Sequence, residues 1–184
     1  MIEVLIAAIV LTVGILGMVG AFDSGRKLTL LSERRTAMAH RTQLEIERLQ
    51  TYTYSQLAMA STPAHSIETS NPDYYVKEGS PPTYQYGENT GETESLVPGT
   101  TTNVCVSPAE TECVVASATP SKWADGQVSG YVYDFVTWHT DNNCGLECKK
   151  QENYKRITVV VTVKVPGGTH EPQRIRISTF LAGP

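Results

Sequence analysis

Met1-Ile2-Glu3-Val4-Leu5-Ile6-Ala7-Ala8-Ile9-Val10-Leu11-Thr12-Val13-Gly14-Ile15-Leu16-Gly17-Met18-Val19-Gly20-Ala21-Phe22 opens this chain of 184 residues. No charged side chain occurs from Val4 to Phe22, a run of 19 positions that Asp23 closes. At about 1.5 Å of rise per helical residue, a run of this length crosses a hydrocarbon core of about 30 Å. The rest of the chain is ordinary by comparison. With 40% hydrophobic and 18% charged residues in 20.1 kDa, it suits one folded domain plus an appendage and excludes wholesale disorder. The apolar run argues against a purely cytosolic enzyme.

Charge is unevenly placed. Residues 23 to 59 hold six basic and four acidic groups, whereas residues 60 to 127 hold two and nine. The last block, 128 to 184, holds seven basic and five acidic groups, and the whole chain carries a net charge of −4. No block is basic enough for nucleic-acid binding. The acidic middle, rich in Ser, Thr, Pro, Gly and Tyr, reads as a solvated surface with many loops.

Three readings compete for residues 1 to 22. A cleaved secretory signal would use Val19-Gly20-Ala21 as its small-residue site, but signals begin with positive charge and have a shorter apolar stretch. A plain membrane anchor has no use for Glu3 at the tip of its apolar run, and its basic flank, Arg26 and Lys27, follows the span. The third reading accounts for the carboxylate. Met1-Ile2-Glu3-Val4-Leu5-Ile6-Ala7, continued by Leu11 to Met18, resembles the amino-terminal signature of type IV pilins and pseudopilins. The resemblance covers roughly the first 55 residues. It implies a basic leader ending in Gly upstream, with Met1 standing where the family has its third mature residue.

What the resemblance implies for Glu3 is a role in assembly, pairing with the amino terminus of a neighbouring subunit as the span enters a filament. A bare carboxylate in a bilayer costs several kcal/mol unless it is neutralised or paired. The simpler alternative is that Glu3 merely caps the helix start, where negative charge is favourable. Gly14, Gly17 and Gly20 recur every third residue. They suit either close helix packing or local loosening of the helix.

Beyond Asp23 only Gly25 interrupts a helical pattern. Leu28, Leu31, Met38, Ile46, Leu49 and Leu57 form an apolar stripe, with Arg34, Arg35, Arg41, Glu45 and Arg48 on the remaining surface. The expectation is one helix from about residue 2 to 58, on the order of 85 Å long, divided into a membrane-spanning or filament-core half (1–22) and an amphipathic half (23–59). A head (60–184) of loops and antiparallel sheet then covers the apolar stripe, so the class is α+β. Thr62-Pro63 ends the helix. Short strands are expected around Tyr74 to Lys77 and Thr83 to Tyr86. Tyr74, Tyr75, Tyr84 and Tyr86 either form a binding surface or pin this loop to the sheet, and pinning is expected.

Strand patterns follow. Asn103 to Ser107 and Glu112 to Ser117 read as a hairpin. Tyr131 to Thr140, Arg156 to Val165 and Arg174 to Leu181 read as an antiparallel meander, with Pro166-Gly167-Gly168 as one turn. The four cysteines, Cys105, Cys113, Cys144 and Cys148, point to disulfides formed in an oxidising compartment, with sequential pairing expected among three possible connectivities. Zinc is the rival. Cys144 and Cys148 alone would be acceptable for it, but the seven residues between Cys105 and Cys113 match finger spacings poorly.

Catalytic signals are weak. His40, His65, His139 and His170 have no metal-ligand spacing, and His139 with Asp134 and Asp141 is the nearest approach to a polar cluster. No nucleophile elbow or phosphate loop appears. The expectation is a structural subunit, not an enzyme, with no cofactor and no metal. As a minor pilin or pseudopilin it would have other pilin-like subunits, an inner-membrane assembly platform, a prepilin peptidase and membrane lipid as partners. It would sit in the cytoplasmic membrane with its head outside and then in a surface or periplasmic filament. The alternative is a single-pass anchored extracellular binding module using the acidic, Tyr-rich loop.

Overall fold

Helix α1 runs unbroken over Ile2–Gln50. In the computed structural model, residues 2–86, 92–126, 128–139, 154–164 and 173–183 are described. The chain divides into two compact units, Met1–Ala37 and Met38–Pro184, so α1 contributes to both. In the first unit, Thr12 is the one hydroxyl between Val4 and Phe22, and it bonds back to the carbonyl of Ala8. Beyond the apolar run, Asp23 and Lys27 pair one turn apart at 2.7 Å.

Within the second unit α1 buries Met38, Thr42, Glu45 and Leu49, a spacing of four, three and four that defines one helix face. The helix stops at Gln50, eight residues before the expected end. Thr51-Tyr52-Thr53-Tyr54 is a run of β-branched and aromatic residues that lose side-chain freedom in a helix. The Thr51 hydroxyl donates to the carbonyl of Arg48 at 2.7 Å. Leu57 is buried as expected, but in the extended segment that follows, where Met59 N donates to Val97 O and Ala60 N to Ala116 O.

The core is a four-stranded antiparallel sheet in sequential order: β4 (Ser121–Asp125), β5 (Val128–His139), β6 (Tyr154–Val163) and β7 (Gln173–Ala182). Pairing of Val132 with Val161 and of Val161 with Ile175 fixes which residues share a face. One face takes Val132, Val136, Ile157, Val159, Val161 and Ile175, with the 38–50 end of α1 on its side; Gln50 Nε2 reaches Thr179 Oγ1 at 3.3 Å. The meander expected from β5 to β7 is present. Strand β4 was not expected; only Trp123 among its five residues is buried, which leaves little alternation to read. Gly126, at φ 56°, turns β4 into β5.

The opposite face is covered by a second, three-stranded sheet: β1 (Val76–Lys77), β2 (Thr83–Tyr86) and β3 (Glu92–Ser95), preceded by a 3-10 turn at Pro72–Tyr75. Tyr84 is fully buried with its ring centroid 4.3 Å from that of Phe135 on β5. The expected hairpin of residues 103–107 and 112–117 does not form. These segments meet at one parallel bridge, Val104–Val114. The backbone of Val115 and Ala116 is instead taken by the helix exit, with Val115 N donating to Gln56 O and Ala116 N to Ala58 O.

Candidate functional site

Glu3 lies in the first turn of α1, as its place at the start of the run requires. Around it, thirteen large apolar side chains from Ile2 to Phe22 are each more than half exposed. At about 1.5 kcal/mol or more per side chain, leaving them in water costs roughly 20 kcal/mol. Such a segment has to be covered by lipid or protein, and α1 is long and apolar enough to span a membrane. Around Gly14, Gly17 and Gly20 no described atom, apart from the adjoining residues and the helix's own backbone, lies within 4 Å of where a Cβ would sit. Their three-residue spacing puts them in a band about 120° wide, which leaves both close packing and local loosening of the helix open.

The head is stapled by Cys105–Cys113, with an S–S distance of 2.02 Å. Both sulfurs lie near the Glu110 carboxylate. Each is already bonded to the other, so they offer no thiolate to a metal. The stapled loop also reaches the helix exit, since the Gln56 side-chain amide donates to the Glu110 carbonyl. Cys144 and Cys148 lie outside the described residues.

Two polar clusters sit on opposite faces of β5. On the helix side, Glu45 is buried and accepts from Arg41 Nη2 at 3.0 Å and from Arg48 Nε at 2.7 Å. Beside it stands Asp134, whose closest cation contact is Arg48 Nη2 at 3.7 Å, too long for a hydrogen bond. Burial first, and then the Glu45 charge, push the Asp134 carboxyl up to about 7, against the opposing pull of Arg48 and Arg41. Lys155, also buried on this face, donates to Tyr54 O at 2.7 Å and lies over the rings of Tyr54 and Trp138. Burial lowers its pKa to about 8.

On the other face, Glu94 of β3 accepts from Thr137 Oγ1 at 2.6 Å, His139 Nδ1 at 2.7 Å and Arg156 Nη2 at 2.8 Å. Arg156 is held between the rings of Tyr86 and Phe180. The Tyr86 hydroxyl extends the network to Thr137 at 2.7 Å and Thr158 at 3.2 Å. These contacts, with buried Tyr75, Tyr84 and Tyr86, pin the small sheet to the large one.

The anticipated grouping of His139 with Asp134 is corrected. Five residues apart in a strand, they point to opposite faces and serve different clusters. Asp141 and His170 lie outside the described residues. His40 is exposed on α1, and His65 Nδ1 meets the carbonyl of Val76 at 2.7 Å. Glu45 was placed on the outer surface of the helix. Its one-turn pairing with Arg41 is present, but the carboxylate faces inward. A readable signal existed, because 45 stands in step with Met38 and Leu49. Glu94 carried none, since its partners come from distant strands.

Comparison with protein-family models, with curated proteins and with solved structures finds no match.

Proposed function

We propose that this chain is a structural subunit of a type IV pilin-like filament, a minor pilin or pseudopilin that assembles through its amino-terminal helix. The observation that carries the reading is the conjunction in α1 of a lone first-turn carboxylate, an uncharged run exposed on all sides, and a seamless continuation into the face buried by the head. In lipid the run is a membrane span. In a filament the same side chains pack against those of sister helices, and the Gly14, Gly17 and Gly20 band lets the backbones approach. Glu3 then finds its counter-charge in a neighbouring amino terminus. This gain is available only after assembly, so it favours incorporation and sets axial register.

The role is mechanical and assigns no catalytic step and no cofactor. Other pilin-like subunits, the inner-membrane assembly platform and the prepilin peptidase are the partners that follow, with the head outside the cytoplasm. The Cys105–Cys113 bond supports an oxidising location for that head.

Glu3→Leu tests the reading in cells carrying the natural filament machinery. Membrane insertion should be retained while recovery in sheared filaments falls about tenfold or more, equivalent to losing about 1.4 kcal/mol or more of docking energy. Unchanged incorporation would remove the role of Glu3. Absence of the wild-type chain from filaments would leave an anchored binding module.

A further inference from the structure

The seat of α1 on the sheet contains an imbalance. Two carboxyl side chains, those of Glu45 and Asp134, are only 5% and 12% exposed. Both guanidiniums that could compensate them are committed to Glu45. Asp134 Oδ1 is buried with no hydrogen-bond partner among the described residues. A carboxylate in that position loses its hydration and gains little in return, so the neutral acid is favoured there. The cluster borders a cleft of about 300 Å³, so a proton has a route to solvent. The other walls contribute valines, Leu44 and the hydroxyls of Ser117, Thr119 and Ser121. No further titratable group lines it among the described residues, so the groups facing Asp134 are Arg41, Glu45 and Arg48 of α1.

We propose that Asp134 takes up a proton beside the ion-paired Glu45 and forms a pH-operated latch that holds the 38–50 end of α1 on the sheet. With the proton bound, Asp134 is neutral and Glu45 keeps both guanidiniums. When the proton leaves through the cleft, two buried anions compete for Arg48, which then has to divide itself between them. Arg41 and Arg48 are about a third exposed, so solvent screens their pull on Asp134 and they do not offset its burial. The folded chain therefore binds this proton more tightly than the unfolded chain. The stabilisation is complete below the unfolded value of 3.8 and is lost as pH rises towards about 7.

The test uses the full chain in detergent micelles, unfolded in urea from pH 4 to 9, alongside Asp134→Asn and Glu45→Gln. For the wild type, the unfolding constant should rise by up to tenfold per pH unit between 3.8 and about 7, with this component absent from Asp134→Asn. Asp73, which burial lifts to about 6, titrates in both proteins and cancels in the comparison. A second readout does not need Asp134→Asn to fold. In an Asp73→Asn background, the infrared carbonyl band of a protonated carboxylic acid should persist at pH 6, and its titration midpoint should fall when Glu45→Gln is added. Superimposable pH profiles for the wild type and Asp134→Asn would overturn the latch. So would a carboxyl band that has vanished by pH 5, or one whose midpoint ignores Glu45→Gln.

Discussion

Replacing Glu94 with Gln removes one negative charge from the join between the two sheets and leaves the shape nearly unchanged. The Glu94 side chain is 12% exposed and faces Arg156, itself 15% exposed, so the pair is mostly withdrawn from water. Gln keeps one acceptor for Thr137 or Arg156 but turns an NH2 group towards donors. Each charge-assisted hydrogen bond lost is worth about 1.5–3 kcal/mol, and stranding a buried partner costs about 3–5 kcal/mol. The His139 bond counts for less, because its side chain is 33% exposed. A total near 3 kcal/mol is expected, about two decades in an opening equilibrium. The loss should be local, since contacts such as Tyr84 against Phe135 remain. Native-state hydrogen exchange on the full chain in micelles reads it directly. Amides of β2 and β3 should lose about a hundredfold in protection, whereas those of β6 keep theirs. Adding Arg156→Met removes the stranded cation, which otherwise stays between Tyr86 and Phe180, and should recover at least about 1 kcal/mol. Unchanged protection in β2 and β3, or strictly additive effects of the two substitutions, would refute the claim that this ion pair joins the sheets.

Gly130→Ala should destabilise the head by about 2 kcal/mol, because a Cβ there runs into the backbone carbonyl of Thr162 and presses on the Trp123 indole. A urea midpoint matching wild type, with unshifted tryptophan emission, would show that the strands yield freely at this point. Reducing the Cys105–Cys113 bond, or replacing both cysteines with Ser, reopens a loop with a sequence separation of 8. That should cost roughly 2.5 kcal/mol by loop-closure entropy and expose residues 106–112 to protease. Equal proteolysis rates with and without the bond would mean that Gln56 and its neighbours hold the loop unaided.

Local patterns were most legible where one physical demand repeats along the chain. The uncharged run marks its own helix, since a stretch apolar enough to enter lipid has to satisfy every backbone group internally. The alternation in β5, β6 and β7 reads directly because apolar and more polar residues largely alternate along each of these strands; the expected turn at Pro166-Gly167-Gly168 lies outside the described residues. The proximity of Cys105 and Cys113 in the chain was enough to suggest their bond. The helix end was misjudged for an equally local reason: Leu57 kept the apolar period going after Thr51-Tyr52-Thr53 had ended the backbone pattern. The supposed hairpin at 103–117 failed because its β-forming residues found a third partner, the exit of α1, that no local pattern names.

Ordering along the chain thus accounts for the long apolar helix, the α+β class, the meander and Glu3 at the helix tip, since each rests on near neighbours and a fixed period. Which carboxylates are buried, and beside which cations, emerged only when the elements packed. Asp134 and Glu45 are 89 positions apart by their numbering, and Glu94 meets Arg156 across a gap of 62. Their charge states depend on dielectric surroundings and on competition for the same guanidiniums. Those quantities exist only once the helix, the large sheet and the small sheet exclude water from between them.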